Sequence, residues 1–149
     1  MKNAELIGPH QIEVGLRVSD KPQLLRELAR RAAAATTADQ PTILQALQVR
    51  EGLGSTGLGN GFALPHARVD TLAEPFAYFA RLARPIDFAA IDGRPVDLVV
   101  MLLTSEGAAS QHLRILAGLS RPFRDKAFVR QLREAPDAAA VHVLLSGSM

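Results

Sequence analysis

Residues 96–103 read VDLVVMLL, and Asp97 is the single polar residue among these eight. A strand with one face in water alternates apolar and polar residues, whereas a near-continuous apolar run is typical of a strand covered on both faces. The run is far too short to span a bilayer, which needs about 20 apolar residues. We therefore predict that residues 96–103 form a central strand of a sheet.

The segments around this strand alternate between strand-like and helix-like patterns. Apolar residues recur with a period of two over 12–18, residues 75–82 are a further strand candidate, and 61–69 looks extended. Ser19 is the expected cap of the first of five helices. The helices are predicted where apolar residues share one face, at about 20–32, 37–51, 107–120, 125–134 and 136–146. This order predicts an α/β fold with helices packed on a central sheet.

The composition excludes several functional classes. The chain has 149 residues with 17 basic and 15 acidic side chains, a net charge of +2, and no run of Lys or Arg. With only six Phe and one Tyr to stack on bases, nucleic-acid binding is not expected. The absence of cysteine excludes disulfides, thiolate metal ligands and a cysteine nucleophile. The first 15 residues are too polar for a signal peptide, so we expect a cytoplasmic protein without membrane insertion.

Five glycines crowd into the stretch GLGSTGLGNG, residues 52–61. Its first six residues match the dinucleotide fingerprint G-x-G-x-x-G, but that fingerprint requires a strand before it and a helix after it. Here a predicted helix enters and an extended segment leaves, and Leu58 stands where a P-loop needs lysine. Two interpretations remain: a tight connection between helix and strand, or backbone donors that gather with the Ser55 and Thr56 hydroxyls around a small dianion.

One of the four histidines is distinguished by the residues before it. His66 follows Pro65, which fixes the local backbone, and the extended run places its imidazole at a strand edge beside the glycines. Unprotonated imidazole is a nucleophile near neutral pH and can accept a phosphoryl group covalently. We interpret His10 and His142 as surface or edge residues.

Two further residues could assist His66, although each also has a purely structural interpretation. His112 lies on the apolar side of its predicted helix, where a buried and hydrogen-bonded histidine is common. Arg50 continues the apolar stripe of Ile43 and Leu47, where it either neutralises phosphate charge or benefits from the dipole at the helix C-terminus. A metal site of His66 and His112 lacks a third ligand at a recognised spacing, so no metal is predicted.

Together these residues resemble a known signature. The stretch REGLGSTGLGNGFALPHAR, Arg50 to Arg68, is similar to the active-site sequence of the fructose/mannitol-class enzyme IIA domain of the bacterial phosphotransferase system. The resemblance continues through PIDFAAIDGRPVDLVVMLL and QHLRILAGLS, and so covers most of the chain. It implies a single domain, residues 1–149, of the α/β class, with a central mixed β-sheet flanked by helices on both faces.

Residue roles follow from the resemblance. It implies that His66 accepts a phosphoryl group, that His112 orients it, and that Arg50 lies beside the phosphoryl group. The rest of the implied phosphoryl shell consists of Glu51, Ser55, Thr56, Gly59 and Asn60. No cofactor is implied. The implied donor is a phosphohistidine carrier protein similar to HPr or NPr, supplied ultimately by phosphoenolpyruvate through enzyme I.

A free-standing chain of this length is most similar to the nitrogen-regulatory members of the family. That resemblance implies a phosphohistidine relay protein that regulates partners, such as transporters or sensor kinases, rather than turning over a small substrate. Two alternatives stay open. One is a sugar-specific enzyme IIA that passes the phosphoryl group to a membrane permease component, and the other is a module that senses nucleotides or anions without covalent chemistry.

Overall fold

The core of the fold is the strand expected from VDLVVMLL. The structure, a computed structural model, describes residues 5–148. Strand β6 (Val96–Thr104) is buried except at Asp97, which is partly exposed, and it pairs antiparallel with β5 (Phe76–Ile86). The prediction of a strand covered on both faces is therefore confirmed. Residues 1–4 and 149 of the predicted domain lie outside the described residues.

The sheet contains both parallel and antiparallel pairs. Strand β1 (Ile12–Leu16) is parallel to β5. The other edge of β6 pairs with β3 (Phe62–Ala63) and β4 (His66–Arg68), both parallel to it, and β2 (Gly57–Gly59) is antiparallel to β3. The strand order is β1-β5-β6-β3-β2, with β4 also beside β6. The predicted mixed sheet is therefore confirmed.

Pro65 separates β3 from β4 along one edge of β6. A proline has no N–H to give to a sheet, and here its carbonyl accepts from the backbone N–H of Leu102 at 3.0 Å. The N–H of Leu64 donates instead to the carbonyl of Thr56, also at 3.0 Å. The interrupted strand thus stays paired with β6 as far as His66, which lies opposite Leu102.

Helices cover both faces of the sheet. Helices α1 (Lys21–Ala35) and α2 (Gln40–Gly52) bury their apolar residues on one face. Helices α3 (Ala109–Ser120), α4 (Lys126–Glu134) and α5 (Ala138–Ser148) pack on the other face. Alternate side chains of β6 belong to the two layers, Val99, Met101 and Leu103 on the first and Leu98, Val100 and Leu102 on the second. The predicted α/β architecture, with helices on both faces, is confirmed.

Some element boundaries differ from the sequence prediction. Asp20 rather than Ser19 is the N-cap of α1, because its carboxylate accepts from the N–H of Gln23 at 2.8 Å. Strand β5 is longer than expected, because its pairing with β6 resumes after an irregularity and continues to Ile86 opposite Val96. The glycine stretch, expected to be a loop, contains the short strand β2.

Among the described residues, short 3-10 helices span Pro9–Gln11 before β1 and Arg121–Arg124 between α3 and α4. Phe123 in the second of these stacks on Phe62, with ring centroids 3.8 Å apart, and so fixes the connection against the sheet. Across residues 5–148, we find no helix that combines the length and the apolar character needed to cross a membrane.

A substitution at Gly57 tests how tightly the glycine stretch is packed against its neighbours. A Cβ on Gly57 would lie 2.7 Å from the Cβ of Ala90 and 2.8 Å from its Cα, a clash with backbone that cannot swing away. We expect Gly57→Ala to lower the free energy of unfolding by about 1–3 kcal/mol, measured by urea denaturation. Gly52→Ala is the control, because nothing lies within 4 Å of a Cβ there. Equal losses in the two variants would contradict the packing.

Candidate functional site

The backbone holds the His66 imidazole in one orientation. His66 begins β4 directly after Pro65, and its Nδ1 lies 2.7 Å from the carbonyl oxygen of Leu64. Because a carbonyl oxygen only accepts hydrogen bonds, Nδ1 carries the proton. In the neutral ring this leaves the lone pair on Nε2, the nitrogen that can act as a nucleophile.

Arg50 reaches Nε2 of His66 from the last turn of α2. Its Nε donates to Nε2 at 3.2 Å, and its Nη1 donates to the carbonyl of Gly54 at 2.9 Å. The helix is anchored by Ile43 and Leu47, which are fully buried. The guanidinium therefore contacts both one carbonyl group beyond the helix end and the imidazole, so the two interpretations of Arg50 are compatible.

His112 brings a second imidazole to the site from α3. The centroids of the His66 and His112 rings are 5.5 Å apart, and the ring planes are tilted by 51°. His112 is only 7% exposed, and its Nδ1 lies 2.6 Å from the hydroxyl of Thr104, the fully buried last residue of β6. The central strand therefore orients both histidines, one through β4 and the other through Thr104.

The surroundings keep both histidines uncharged. Burial is the main reason that the pKa of His66 is lowered; the charge of Arg50 acts in the same direction, and the hydrogen bond to Leu64 opposes them. Burial also lowers the pKa of His112 to about 4, with smaller effects from His66 and Arg68. At neutral pH the two rings are therefore neutral, and arginine supplies the positive charge between them and solvent.

A depression of about 820 Å³, which we call the histidine pocket, opens in front of the two imidazoles. Its rim carries exposed side chains of two kinds. Asp70 and Glu106 lie at one part of the rim, where their hydrogen bond raises the pKa of Glu106. Three apolar side chains on the rim are also exposed, namely Val49 (62%), Leu53 (82%) and Leu113 (67%).

Three residues of the expected shell, Glu51, Ser55 and Thr56, form hydrogen bonds away from the histidine pocket, and none of them lines it. Glu51 accepts from the hydroxyl and the N–H of Thr56, and it forms an ion pair with Lys21 at 2.7 Å. The hydroxyl of Ser55 donates to the carbonyl of Phe88 at 2.8 Å. These contacts tie the glycine stretch and the start of α1 to the end of α2, which carries the guanidinium.

The other two residues of the expected shell are Gly59, the last residue of β2, and Asn60, which lies in the turn between β2 and β3. The N–H of Asn60 donates to Asp92 at 3.2 Å, and its carbonyl accepts from Arg133 at 2.7 Å. The structure does not bring this turn to the histidine pocket. The reason is that extended β3 lies between the turn and His66 and carries the chain along β6.

Sequence reasoning missed two residues that contribute to the site. Thr104 is the polar residue that ends the apolar run of β6, and that position was the available signal for a partner of His112. Lys21 lies in the first turn of α1, and its sequence context carries no comparable signal. Among the residues described, 5–148, no three His, Asp or Glu side chains are grouped so that they could hold a metal ion.

The paired histidines lie at one edge of an α/β fold, and comparison with known proteins identifies the family to which this fold and site belong. Residues 5–147 match the family described as "Phosphoenolpyruvate-dependent sugar phosphotransferase system, EIIA 2". The chain belongs to this family. Proteins of the family receive a phosphoryl group from a phosphocarrier and pass it to partners.

Within the family, the chain is similar to proteins named for nitrogen regulation. It is 42% identical over 146 residues to the nitrogen regulatory protein of Bradyrhizobium diazoefficiens, covering 98% of this chain and 95% of that one. It is 37% identical over 143 residues to the nitrogen regulatory protein of Pseudomonas aeruginosa, covering 95% and 92%. The crystal structure of nitrogen regulatory protein IIA-Ntr from Neisseria meningitidis gives a TM-score of 0.91 at 32% identity, covering 95% and 97%. The expected resemblance is confirmed.

The lowered pKa of His112 makes the stability of the fold depend on pH. Histidine in the unfolded chain titrates near about pH 6.5, so acid protonates the unfolded state first and the folded state only near pH 4. The fold is thus most stable above the pKa that His112 has in the unfolded chain. Its stability decreases as the pH falls toward the pKa that His112 has in the folded chain. The free energy of unfolding is measured by urea denaturation at about pH 7.5 and about pH 4.5. Between these two pH values, the free energy of unfolding should fall by about 2–3 kcal/mol more in wild type than in His112→Gln.

The exposed His10 provides the control for this measurement. His10→Gln should keep the pH dependence of wild type, because the ring it removes is on the surface. If His112→Gln showed the same decrease in stability as wild type over this pH range, the buried neutral state of His112 would be wrong.

Proposed function

We propose that this chain is a phosphohistidine relay protein with a regulatory output. It accepts a phosphoryl group on Nε2 of His66 from a phosphohistidine carrier protein, and it binds partner proteins according to its phosphorylation state. The observation that supports this proposal is the orientation of His66. Its Nδ1 is occupied by the carbonyl of Leu64, and its Nε2 lies beside Arg50 at the histidine pocket.

The transfer balances without any net movement of a proton. The lone pair of His66 Nε2 forms the new N–P bond while the N–P bond of the donor breaks, and the donor imidazole leaves with that electron pair. A protonated imidazole has no lone pair with which to attack. The lowered pKa of His66 therefore favours the acceptor form at neutral pH.

Arg50 and His112 stabilise the charge of the transferred group. The Nε–H of Arg50, which donates to Nε2 at 3.2 Å, releases that lone pair when the new N–P bond forms, and the guanidinium N–H groups can then bond the phosphoryl oxygens. When the hydroxyl of Thr104 donates to Nδ1 of His112, the Nε2–H of His112 remains to donate to a phosphoryl oxygen. Because both rings are neutral, Arg50 carries the permanent charge that attracts phosphate.

The rim of the histidine pocket provides a docking surface for the carrier protein. A phosphohistidine on another protein reaches His66 only if the surface around it fits against this rim. The rim presents Val49, Leu53 and Leu113 to solvent beside charged side chains. Exposed apolar groups with a polar border are typical of protein–protein interfaces. We expect the phosphoryl donor to bind here, and regulated partners to sense the phosphoryl group at the same place.

The relatives favour a regulatory output over delivery to a sugar permease. Both relatives and the structural neighbour described above are named nitrogen regulatory proteins, although the family description names a sugar phosphotransferase system. A pull-down with the phosphorylated and unphosphorylated chain tests this part of the proposal. A partner captured in only one state would support it. Loss of the phosphoryl group to a permease component, only with sugar present, would show the sugar-specific alternative instead.

The relay itself is tested by intact mass measurement after incubation with phosphoenolpyruvate, enzyme I and the carrier protein. We expect wild type to gain one acid-labile phosphoryl group and His66→Ala to gain none. His112→Ala should gain the group at least about tenfold more slowly, because one stabilising donor is lost. A phosphoryl group on His66→Ala would contradict the assignment of the acceptor.

The same sample also tests which nitrogen reacts. Nuclear magnetic resonance of the imidazole should show the phosphoryl group on Nε2 of His66, because Nδ1 is held by Leu64. A phosphoryl group on Nδ1 would show that this hydrogen bond does not select the reactive nitrogen. His10→Ala, which changes an exposed ring, should behave as wild type does.

The docking surface is tested by Leu113→Gln. This side chain is 67% exposed on the rim, so replacing it should leave the fold intact and lower kcat/KM for transfer from the carrier by roughly five- to tenfold, through loss of apolar burial. Val143→Gln on α5 is the matched control at 70% exposure, and Val143 does not line the pocket. Similar rates for Leu113→Gln and wild type would remove the rim from the interface.

A further inference from the structure

A second depression lies near the start of β6, away from the histidine pocket. It encloses about 390 Å³ and includes the Asn60–Gly61 turn and the buried side chain of Val129. Its lining contains no carboxylate. The charged side chains around it are all cationic, namely Arg94, Lys126, Arg130 and Arg133. We call this site the basic depression.

One wall of the basic depression is fixed in place by Arg133. The Nε and Nη2 of Arg133 donate to the two carboxylate oxygens of Asp97, at 2.9 and 2.8 Å, and Nη2 also donates to the carbonyl of Asn60 at 2.7 Å. Gly61 makes this close approach possible, because its φ is +75° and a Cβ there would lie 2.8 Å from Asp97 Oδ1. The guanidinium therefore needs little ordering when a ligand binds.

The other three cations of the depression form no ion pair with a carboxylate within residues 5–148. The two carboxylates near the Asn60–Gly61 turn already have hydrogen-bond partners. Asp97 is bound by Arg133, and Asp92 accepts from the N–H groups of Asn60 and Arg94 at 3.2 and 3.1 Å. Like charges around one concave surface repel each other, and a bound anion with several charges removes that repulsion.

The basic depression is separate from the histidine pocket. The carbonyl of Gly61 accepts from the N–H groups of Asp97 and Leu98, whereas His66 lies opposite Leu102 further along β6. At about 3.3 Å per strand residue, the two places are about 15 Å apart. They share no lining residue. A ligand in the basic depression is therefore not the phosphoryl group of the relay.

We propose that the basic depression binds a small molecule that carries phosphate groups. Its cations come from the turn at Arg94 and from α4, and they surround a concavity rather than forming the stripe that a nucleic-acid backbone requires. The volume is in the range of small-ligand sites. Planar guanidinium groups match pairs of phosphate oxygens and hold them with charge-assisted hydrogen bonds.

The proposal is tested by calorimetric titration with pyrophosphate, a probe that carries two linked phosphates. We expect saturable binding at one site per chain. The double variant Lys126→Gln/Arg130→Gln should bind at least about tenfold more weakly, because two charge-assisted contacts are lost. The matched control is Arg17→Gln/Arg26→Gln, which removes the same charge from two exposed residues outside the depression and should bind within about twofold of wild type.

Two further arms separate this site from the relay and from general anion binding. His66→Ala should bind pyrophosphate as wild type does, and amide chemical shifts should move at Gly61 and along 126–133. Loss of binding in His66→Ala, or shifts centred on His112, would place the anion in the histidine pocket and overturn the proposal. Absence of saturable binding, equal weakening in the control variant, or equally tight binding of citrate would overturn it as well.

Discussion

The structure depends on the backbone pairing along one edge of β6. That edge holds β3 and β4 in register on either side of Pro65, and this pairing places His66 opposite Leu102. The end of the same strand supplies Thr104, which holds His112. One strand, buried on both faces, therefore sets the separation and tilt of the two imidazoles.

In the proposed relay, the nucleophile and the positive charge are on different side chains. A protonated imidazole would attract phosphate, but it would have no lone pair with which to form a bond. Burial keeps His66 and His112 neutral by lowering the pKa of each ring, and the guanidinium of Arg50 carries the positive charge. The same burial strengthens the attraction between Arg50 and a phosphoryl group, because less water screens it.

The glycine stretch contributes to two distant parts of the molecule. Its first half ends α2 and packs against the segment at Ala90, where Gly57 leaves no room for a side chain. Its second half is the Asn60–Gly61 turn, which Arg133 binds near the start of β6. The family resemblance implied that Gly59 and Asn60 belong to the phosphoryl shell, and they are close to His66 in the chain. An extended strand separates residues by about 3.3 Å each, so a few residues are enough to leave the site.

Patterns within single segments were sufficient to establish the α/β class, the buried central strand and most of the helices, because periodicity and burial are properties of neighbouring residues. Residue type and context also singled out His66, and the family resemblance added Arg50 and His112; the fold brings these three residues together. The proton position on His66 could not be inferred this way, since it depends on a carbonyl that any residue has. The Lys21–Glu51 ion pair and the basic depression also escaped sequence reasoning. Both join segments far apart in the chain, and only packing of the helices on the sheet sets the distances between them.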